Sequence, residues 1–453
     1  MRRLLLLAAL VLPLPAFAQP VDVAALRDAA LNDIVAWDIT EGLTTEIGPR
    51  LAGTPDEARA RDWAVARLKA LGFSNVRIEP YQMPVWVRGE ERAAIVSPFP
   101  QPLAITALGN SGATPAGGLE AEIVYFPTLD DLKAAPDGSL KGKIAFVSHA
   151  MAATQDGSSY GAFGAVRRAG PAIAAQKGAA AIVIRSVGTD HHRNPHAGGT
   201  SFPAGTTPIP AGALSVPDAE QLERVLKRGQ PVRLRLTLTP RQIGMRESGN
   251  VIAEVPGSDP AAGIVLIGGH LDSWDLGTGA IDDAAGLGIT TAAAKRIMDA
   301  GRPLRTIRVV WFGAEEVGGV GGAAYAKAHA GDRHVVAAES DFGADRIWKF
   351  DVALPPESAA IGDRLATALA PLGITRGTAV AGDGTDIGPT LAQNVAAVDL
   401  AQSGLRYFDL HHTPDDTLDK VDPEQLRQNV AAWTAMLAVV TNAPEPIGPF
   451  RRK

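Results

Sequence analysis

The chain has no cysteine among its 453 residues. That absence excludes thiolate nucleophiles, iron–sulfur clusters, cysteine-based zinc ribbons and any disulfide framework, so a bound metal has to rest on His, Asp and Glu. A basic surplus is missing too. Lys and Arg number 43 against 49 Asp and Glu, giving a formal charge of −6, and the pI is about 5.9. No broad cationic surface is offered to a phosphate backbone, and nucleic acid is not an expected partner. Beyond the N-terminus no apolar run approaches the ~20 residues of a membrane span, so none is expected. Internal repeats and low-complexity segments are absent as well. What is present is a hydrophobic fraction of 46%, a charged fraction of 20% and a mean hydropathy of +0.05. These values describe a globular chain, long enough for two or three domains at ~150 residues each.

The first eighteen residues read as a signal peptide. Arg2 and Arg3 form a charged start, Leu4 to Leu14 an apolar stretch, and Ala16-Phe17-Ala18 a small-residue cleavage site before Gln19. The apolar stretch is too short for a span and is broken by Pro13 and Pro15. Export to the periplasm or the exterior is expected, with cleavage near Ala18. No cysteine follows for a lipid anchor, and loss of Arg2 and Arg3 takes the formal charge from −6 to −8.

Periodicity then divides the chain. Residues 19–116 are expected to begin the catalytic domain, with a helical face over 21–47, a second helix after the Thr54-Pro55-Asp56-Glu57 capping box that Gly72 closes, and an extended segment over 75–85. Residues 117–245 change texture: short β-like runs at 121–125, 143–147, 180–184 and 232–238 alternate with Gly- and Pro-rich loops, with one helix at 163–176. This stretch reads as an inserted β-rich domain. Residues 246–453 return to α/β grammar. Strands are expected at 250–255, 263–268, 306–312, 335–340 and 396–400, separated by amphipathic helices such as 284–300 and 357–370. The expected fold is α/β, a mixed and mostly parallel sheet sandwiched by helices. Active sites of such sheets lie at the carboxyl ends of the strands.

Those ends carry the chemistry. His270 and Asp272 follow the second strand, Asp282 opens the next helix, Glu315-Glu316 follow the third strand, Asp341 the fourth, and His411-His412 lie beyond the fifth. Two divalent ions ~3.5–4 Å apart need a bridging carboxylate and a mixture of imidazole and carboxylate on each. Asp282, flanked by glycine turns, is the expected bridge; His270 and Asp341 are assigned to one ion, Glu316 and His412 to the other. Sulfur-free ligands of this kind suit zinc, with cobalt or manganese able to occupy the same cage. An extended strand end sends Glu315 and Glu316 to opposite sides, which leaves Glu315 free as general base. Asp272 is expected to fix the tautomer of His270.

His270-Leu271-Asp272-Ser273, the twelve-residue step to Asp282, Glu315-Glu316, Asp341 and His412-Thr413 resemble the signature of the co-catalytic zinc aminopeptidase family. The resemblance implies two zinc ions, an inserted protease-associated domain and a homodimer. It also implies removal of an amino acid from short peptides, often dipeptides, that have a free amino terminus. It assigns the last metal ligand to His412, leaving His411 as its neighbour. Less direct candidates are substrate contacts at His196, at Asp386 in the 382–386 turn, and at Tyr407, with Phe408 beside it. His191 and His192 read as part of a solvated polar loop. Two other readings stay open. One is a metal-dependent amidohydrolase acting on N-acyl amino acids, a family whose extra domain lies between the Glu pair and the last histidine. The other is a non-catalytic binding or receptor ectodomain of the same architecture.

Overall fold

The computed structural model describes residues 21–382 and 384–452. The expected signal peptide and Asp383 of the 382–386 turn lie outside the described residues. Two eight-stranded sheets organise the chain. The first contains β1 (Ser74–Val87), β2 (Arg241–Val255), β3 (Ile264–His270), β4 (Thr306–Phe312), β5 (His334–Glu339), β6 (Ile347–Ala353), β7 (Thr375–Arg376) and β8 (Ala396–Gln402). Their spatial order is β1-β2-β4-β3-β5-β8-β6-β7. The central four strands, β4, β3, β5 and β8, run parallel, while β2 and β6 pair antiparallel on either flank. Val265, Ile267, Val309 and Trp311 are fully buried, as continuous Val/Ile-rich runs require when both faces of a sheet are covered.

Register puts the chemistry on one edge. His270 pairs with Phe312 across β3 and β4, and Gly268 with Glu339 across β3 and β5, so the segments after the three strands leave the sheet side by side. The helix Ala285–Ala300 covers one face and is buried along most of its length. It packs against Pro423–Thr441, a helix that the hydrophobic pattern did not single out because its apolar residues surround it on every side. Asp422 starts that helix by accepting hydrogen bonds from the Glu424 and Gln425 amides.

Several expected elements are divided in the structure. The 21–47 helix is three pieces, Val23–Ala30, Val35–Gly42 and a π-turn at Leu43–Ile47. Asp33 accepts the Ala36 amide at 3.0 Å and so starts a new helix where the old one was expected to continue. The 163–176 helix is likewise broken at Gly164 and again at Gly170-Pro171, where proline opens a new first turn. β6 was not foreseen.

The second sheet sets different limits for the insertion. Its spatial order is Gln101–Leu103, Glu91–Ser97, Arg233–Leu238, Leu119–Phe126, Ile144–Val147, Ala181–Arg185, Ala211–Leu214 and Ile105–Ala107. Strands from 91 to 107 therefore belong with those from 119 to 238, and the expected start at 117 falls inside this unit. β1 ends at Val87 and β2 begins at Arg241, so the long β1–β2 ribbon carries the chain out to the second sheet and back. Arg88 joins Asp275 at 2.7 Å, and the Trp86 and Trp274 rings meet edge to face at 6.5 Å. Trp274 thus belongs to the apolar core of the second unit while lying four residues after His270.

Candidate metal centre

Asp282 lies at the middle of the strand-end edge. Its Oδ1 is 3.0 Å from His270 Nε2, and its Oδ2 is 3.4 Å from His412 Nε2. Asp341 Oδ1 approaches the same nitrogen of His270 at 3.3 Å, and Glu316 Oε2 approaches His412 Nε2 at 3.0 Å. The five expected ligands therefore come together as two groups that share one carboxylate. Tetrahedral ligands ~2.0–2.1 Å from a zinc ion stand ~3.3 Å from one another, the spacing found here. Asp282 Oδ2 and Asp341 Oδ1 are buried without a hydrogen-bond partner, which fits donors arranged for a cation.

The electrostatics agree. Burial holds Glu316 and Asp341 well above the usual carboxylate range; Asp282 adds to it in both, and for Asp341 the nearby His270 opposes it without winning. A divalent cation among them would draw them down again. Burial, then His411 and Arg167, keeps His412 well below its ordinary value, so its imidazole is neutral and able to donate a lone pair. For His270 burial also opposes the charge, but Asp341 and Asp282 outweigh it and raise the pKa.

Local structure explains the placement. Asp283, which sequence reasoning passed over, lies directly after Asp282 and is fully buried. Its Oδ2 accepts the His270 amide at 3.1 Å and its Oδ1 accepts the Gly286 amide at 3.2 Å, tying the end of β3 to the helix that follows Asp282. Glycine is required at both approaches: a Cβ on Gly269 would lie 2.1 Å from Asp283 Oδ2, and one on Gly286 2.2 Å from Oδ1. Asp416 accepts the Ala280 and Ile281 amides, each at 2.7 Å, and so holds the turn that carries Asp282. Burial and then Asp282 push its pKa to about 7. Arg50 is fully buried and donates to the carbonyls of Leu271, Thr278, Gly279 and Gly48 at 2.5, 2.6, 2.9 and 3.3 Å. One guanidinium thus binds the His270 loop to the Asp282 loop. The doubled Asp282-Asp283 at a helix start was a visible signal; Arg50 and Asp416, far from their partners in sequence, carried none.

Two expectations are corrected in detail. Asp272 does hold His270, but through its main-chain carbonyl, which accepts Nδ1–H at 2.8 Å, while its carboxylate stands 3.8 Å away. Asp272 Oδ1 instead accepts the Glu315 amide at 3.0 Å, so the side chain orients the Glu pair. Burial raises this carboxyl to about 6. Glu315 and Glu316 are not on an extended strand end: Ala314 adopts φ 59° and the Glu315 carbonyl accepts the Gly318 and Gly319 amides, making a turn. The turn delivers both side chains to the same cavity. Glu316 Oε1 accepts the Trp274 amide at 3.2 Å and leaves Oε2 for His412.

His411 is closer than a mere neighbour. Its ring stacks on His412 at 3.5 Å between centroids, and its Nε2 is 3.7 Å from Asp282 Oδ2, near enough for Asp282, His411 and His412 to share one ion. His412 is fixed from the inserted unit, its Nδ1 3.2 Å from both the Ala197 carbonyl and Arg167 Nη1. Only the tautomer that donates Nδ1–H to Ala197 leaves Nε2 free to coordinate.

A cavity of about 760 Å³ opens over these groups, with Asp282, Glu315, Glu316, Asp341 and the two histidines in its wall. Tyr407 also lines it, its ring 5.0 Å from that of His411. His196 and Asp386 do not reach it. His196 is buried, its Nε2 2.6 Å from Asp190 Oδ1. Asp386 is fully buried, and its amide donates to Glu339. Both are polar residues next to glycines that lie behind the cavity wall, and both Asp386 carboxylate oxygens are buried without a hydrogen-bond partner. His191 and His192 are exposed, as a solvated loop requires.

Comparison with known proteins follows the same lines. The description "Peptidase family M28" matches residues 250–437. Carboxypeptidase Q of Bos taurus is 35% identical over 407 residues, spanning 89% of this chain and 84% of that protein. The crystal structure of a peptidase M28 precursor from Shewanella amazonensis SB2B shares 48% identity with a TM-score of 0.92, covering 95% of this chain and 98% of that one. BSAP, a zinc aminopeptidase from Bacillus subtilis, is 19% identical with a TM-score of 0.63 over 90% of this chain and 95% of its own, a likeness of fold.

Proposed function

The chain belongs to peptidase family M28, and from that premise we propose that it is an exported exopeptidase that hydrolyses short peptides with a free amino terminus. Two zinc ions would be held by His270, Asp282 and Asp341 on one side and by Asp282, Glu316 and His412 on the other. The observation that most supports this is the division of the Asp282 carboxylate, one oxygen toward each imidazole. Zinc in such a cage supplies Lewis-acid polarisation of the scissile carbonyl and lowers the pKa of water.

The chain's own residues do the rest. Glu315, in the cavity wall and free of the ligand set, takes a proton from the attacking water and passes it to the leaving amine as the C–O bond forms and the C–N bond breaks. Asp272 holds the Glu315 backbone in position. The carboxylates of the wall favour the cationic amino end of a peptide. Removing the first residue of a dipeptide also releases its last, so the words carboxypeptidase and aminopeptidase describe one reaction on that substrate. Residues 91–238 form the inserted unit that we assign as a protease-associated domain, and the enzyme is assigned as a homodimer.

A panel of dipeptides, longer peptides and N-blocked analogues, assayed before and after chelation, tests the reading. Free-amino dipeptides should be cleaved, chelation should stop the reaction, and zinc should restore it. Cleavage of N-blocked peptides at similar rates would sink the exopeptidase assignment.

A further inference from the structure

The inserted unit brings three cationic or aromatic side chains to the cavity, Tyr160, Arg167 and Arg168. Adjacent arginines have separate surroundings. Arg167 is buried against Tyr160 and His412, with its Nη2 on the Tyr160 hydroxyl. Arg168 is exposed at the cavity wall, and among the described residues it has neither an ion pair nor a side-chain hydrogen bond. The third cation of the wall, Lys349, is 3.0 Å from Asp351. Arg168 is therefore a cation of the cavity wall without an acidic partner among the described residues.

Its position is held by packing. The guanidinium carbon is 5.9 Å from the Tyr160 ring centre, and the absence of a side chain at Gly164 gives it room, since a Cβ there would come within 2.6 Å of Nη1. The Arg168 carbonyl accepts the Ser201 amide at 2.9 Å, which joins this wall to the Gly199-Thr200-Ser201 segment that also lines the cavity. The Tyr160 ring in turn meets the His411 ring at 5.3 Å. One aromatic ring thus separates the guanidinium from the histidines of the metal centre.

We infer that Arg168 binds the free carboxylate at the leaving end of the substrate and selects short peptides. The inference rests on the peptidase reading above. The guanidinium carbon is 5.9 Å from the Tyr160 ring centre, itself 5.3 Å from the His411 ring, and so lies at most about 11 Å from that ring; an extended peptide advances ~3.3–3.6 Å per residue and covers this in at most about three residues, so the carboxylate of a short peptide falls within reach of Arg168 while longer chains carry theirs past it. A planar guanidinium is suited to a carboxylate because two parallel N–H groups meet its two oxygens. The carboxyl end is thus held at Arg168, which leaves the amino end toward the metal centre and the wall carboxylates outside its ligand set, Glu315 and Glu339.

The test compares a dipeptide with its C-terminal amide, in the zinc-loaded wild type and in Arg168→Ala. The wild type should favour the free acid. In R168A, kcat/KM for the acid should fall about 30-fold, equivalent to about 2 kcal/mol, mainly through KM, while the amide loses under about threefold. Arg168→Lys should recover part of the loss, and Arg168→Glu should turn the preference toward the amide. Because Arg168 is exposed, thermal melting should stay at the wild-type value. Equal losses on acid and amide, or no loss on either, would overturn the inference. A wild type that hydrolyses acid and amide with equal kcat/KM overturns it while leaving the peptidase reading intact. A wild type that hydrolyses neither overturns both.

Discussion

Replacing Arg50 with lysine keeps a positive charge in the interior and removes the planar fork that carries it. The fork spans two loops: Nε reaches the Leu271 carbonyl, and the terminal nitrogens reach Thr278 and Gly279. A single ammonium can serve one loop and not the other. At least two hydrogen bonds from a charged donor are then lost, each worth ~1.5–3 kcal/mol, and some relaxation brings the expected cost to about 4 kcal/mol. With an unfolding entropy of ~2.1 cal/mol/K per residue, a chain of this length loses about 1 °C per kcal/mol, so Tm should fall by about 4 °C. Function should suffer more. The two loops carry His270 and Asp282, and loosening the groups that orient metal ligands costs ~10–100-fold in metal affinity. Differential scanning calorimetry of the zinc-loaded Arg50→Lys protein, with zinc titration followed by competition with a chelator, measures both. A melting temperature within about 1 °C of wild type, together with unchanged zinc affinity, would refute the view that one arginine holds the two loops in register.

The remaining expectations concern the base, the bridge and a histidine distant from both. Glu315→Gln should lower kcat by about 10²–10⁴-fold, with metal content by elemental analysis equal to wild type; retained turnover would remove Glu315 from the role of base. Asp282→Ala should bind less than one zinc per chain where the wild type should bind two, because both donor groups lose a ligand; two bound ions in the variant would refute a shared carboxylate. His334 is half-buried near Arg308 and its Nε2 is 2.8 Å from the Tyr325 hydroxyl; burial, then Arg308, hold its pKa down at about 4. A depressed histidine stays neutral in the folded chain while the unfolded chain takes up a proton below pH ~6.5. Its contribution is therefore full above that pH and lost as the pH falls toward 4, by about 3 kcal/mol. His334→Gln should lose less Tm than wild type between pH 7.5 and 4.5, and parallel losses would disprove the linkage.

Much of the catalytic half could be read from the chain because its strands are short Val/Ile runs that end in the residues they present. Thr306–Phe312 has the expected bounds, and His270, Asp341 and Glu316 lie where parallel register delivers them. Asp282 stood out through its flanking turns and its spacing from His270. The less accurate readings share one cause. His196 and Asp386 are polar residues among glycines, and composition cannot tell a turn that faces a cavity from one buried behind it. The limit at 117 failed because Glu91–Ser97 reads like any strand, and pairing with Arg233–Leu238 alone assigns it to the second sheet.

The amino-acid sequence by itself determined the ligand chemistry. Without cysteine the centre can be built only from nitrogen and oxygen donors, and the order of strands and helices fixes which edge they reach. Tertiary structure decided how those donors are held and what faces them. Arg50, Asp283 and Asp416 tie separate loops together by contacts to main-chain groups, which depend on where the backbone passes and leave no periodic trace in the sequence. The same holds for Arg167 and Arg168: as neighbours in sequence they look alike, and only the packing of Tyr160 and Gly164 sends one toward His412 and leaves the other open to the cavity.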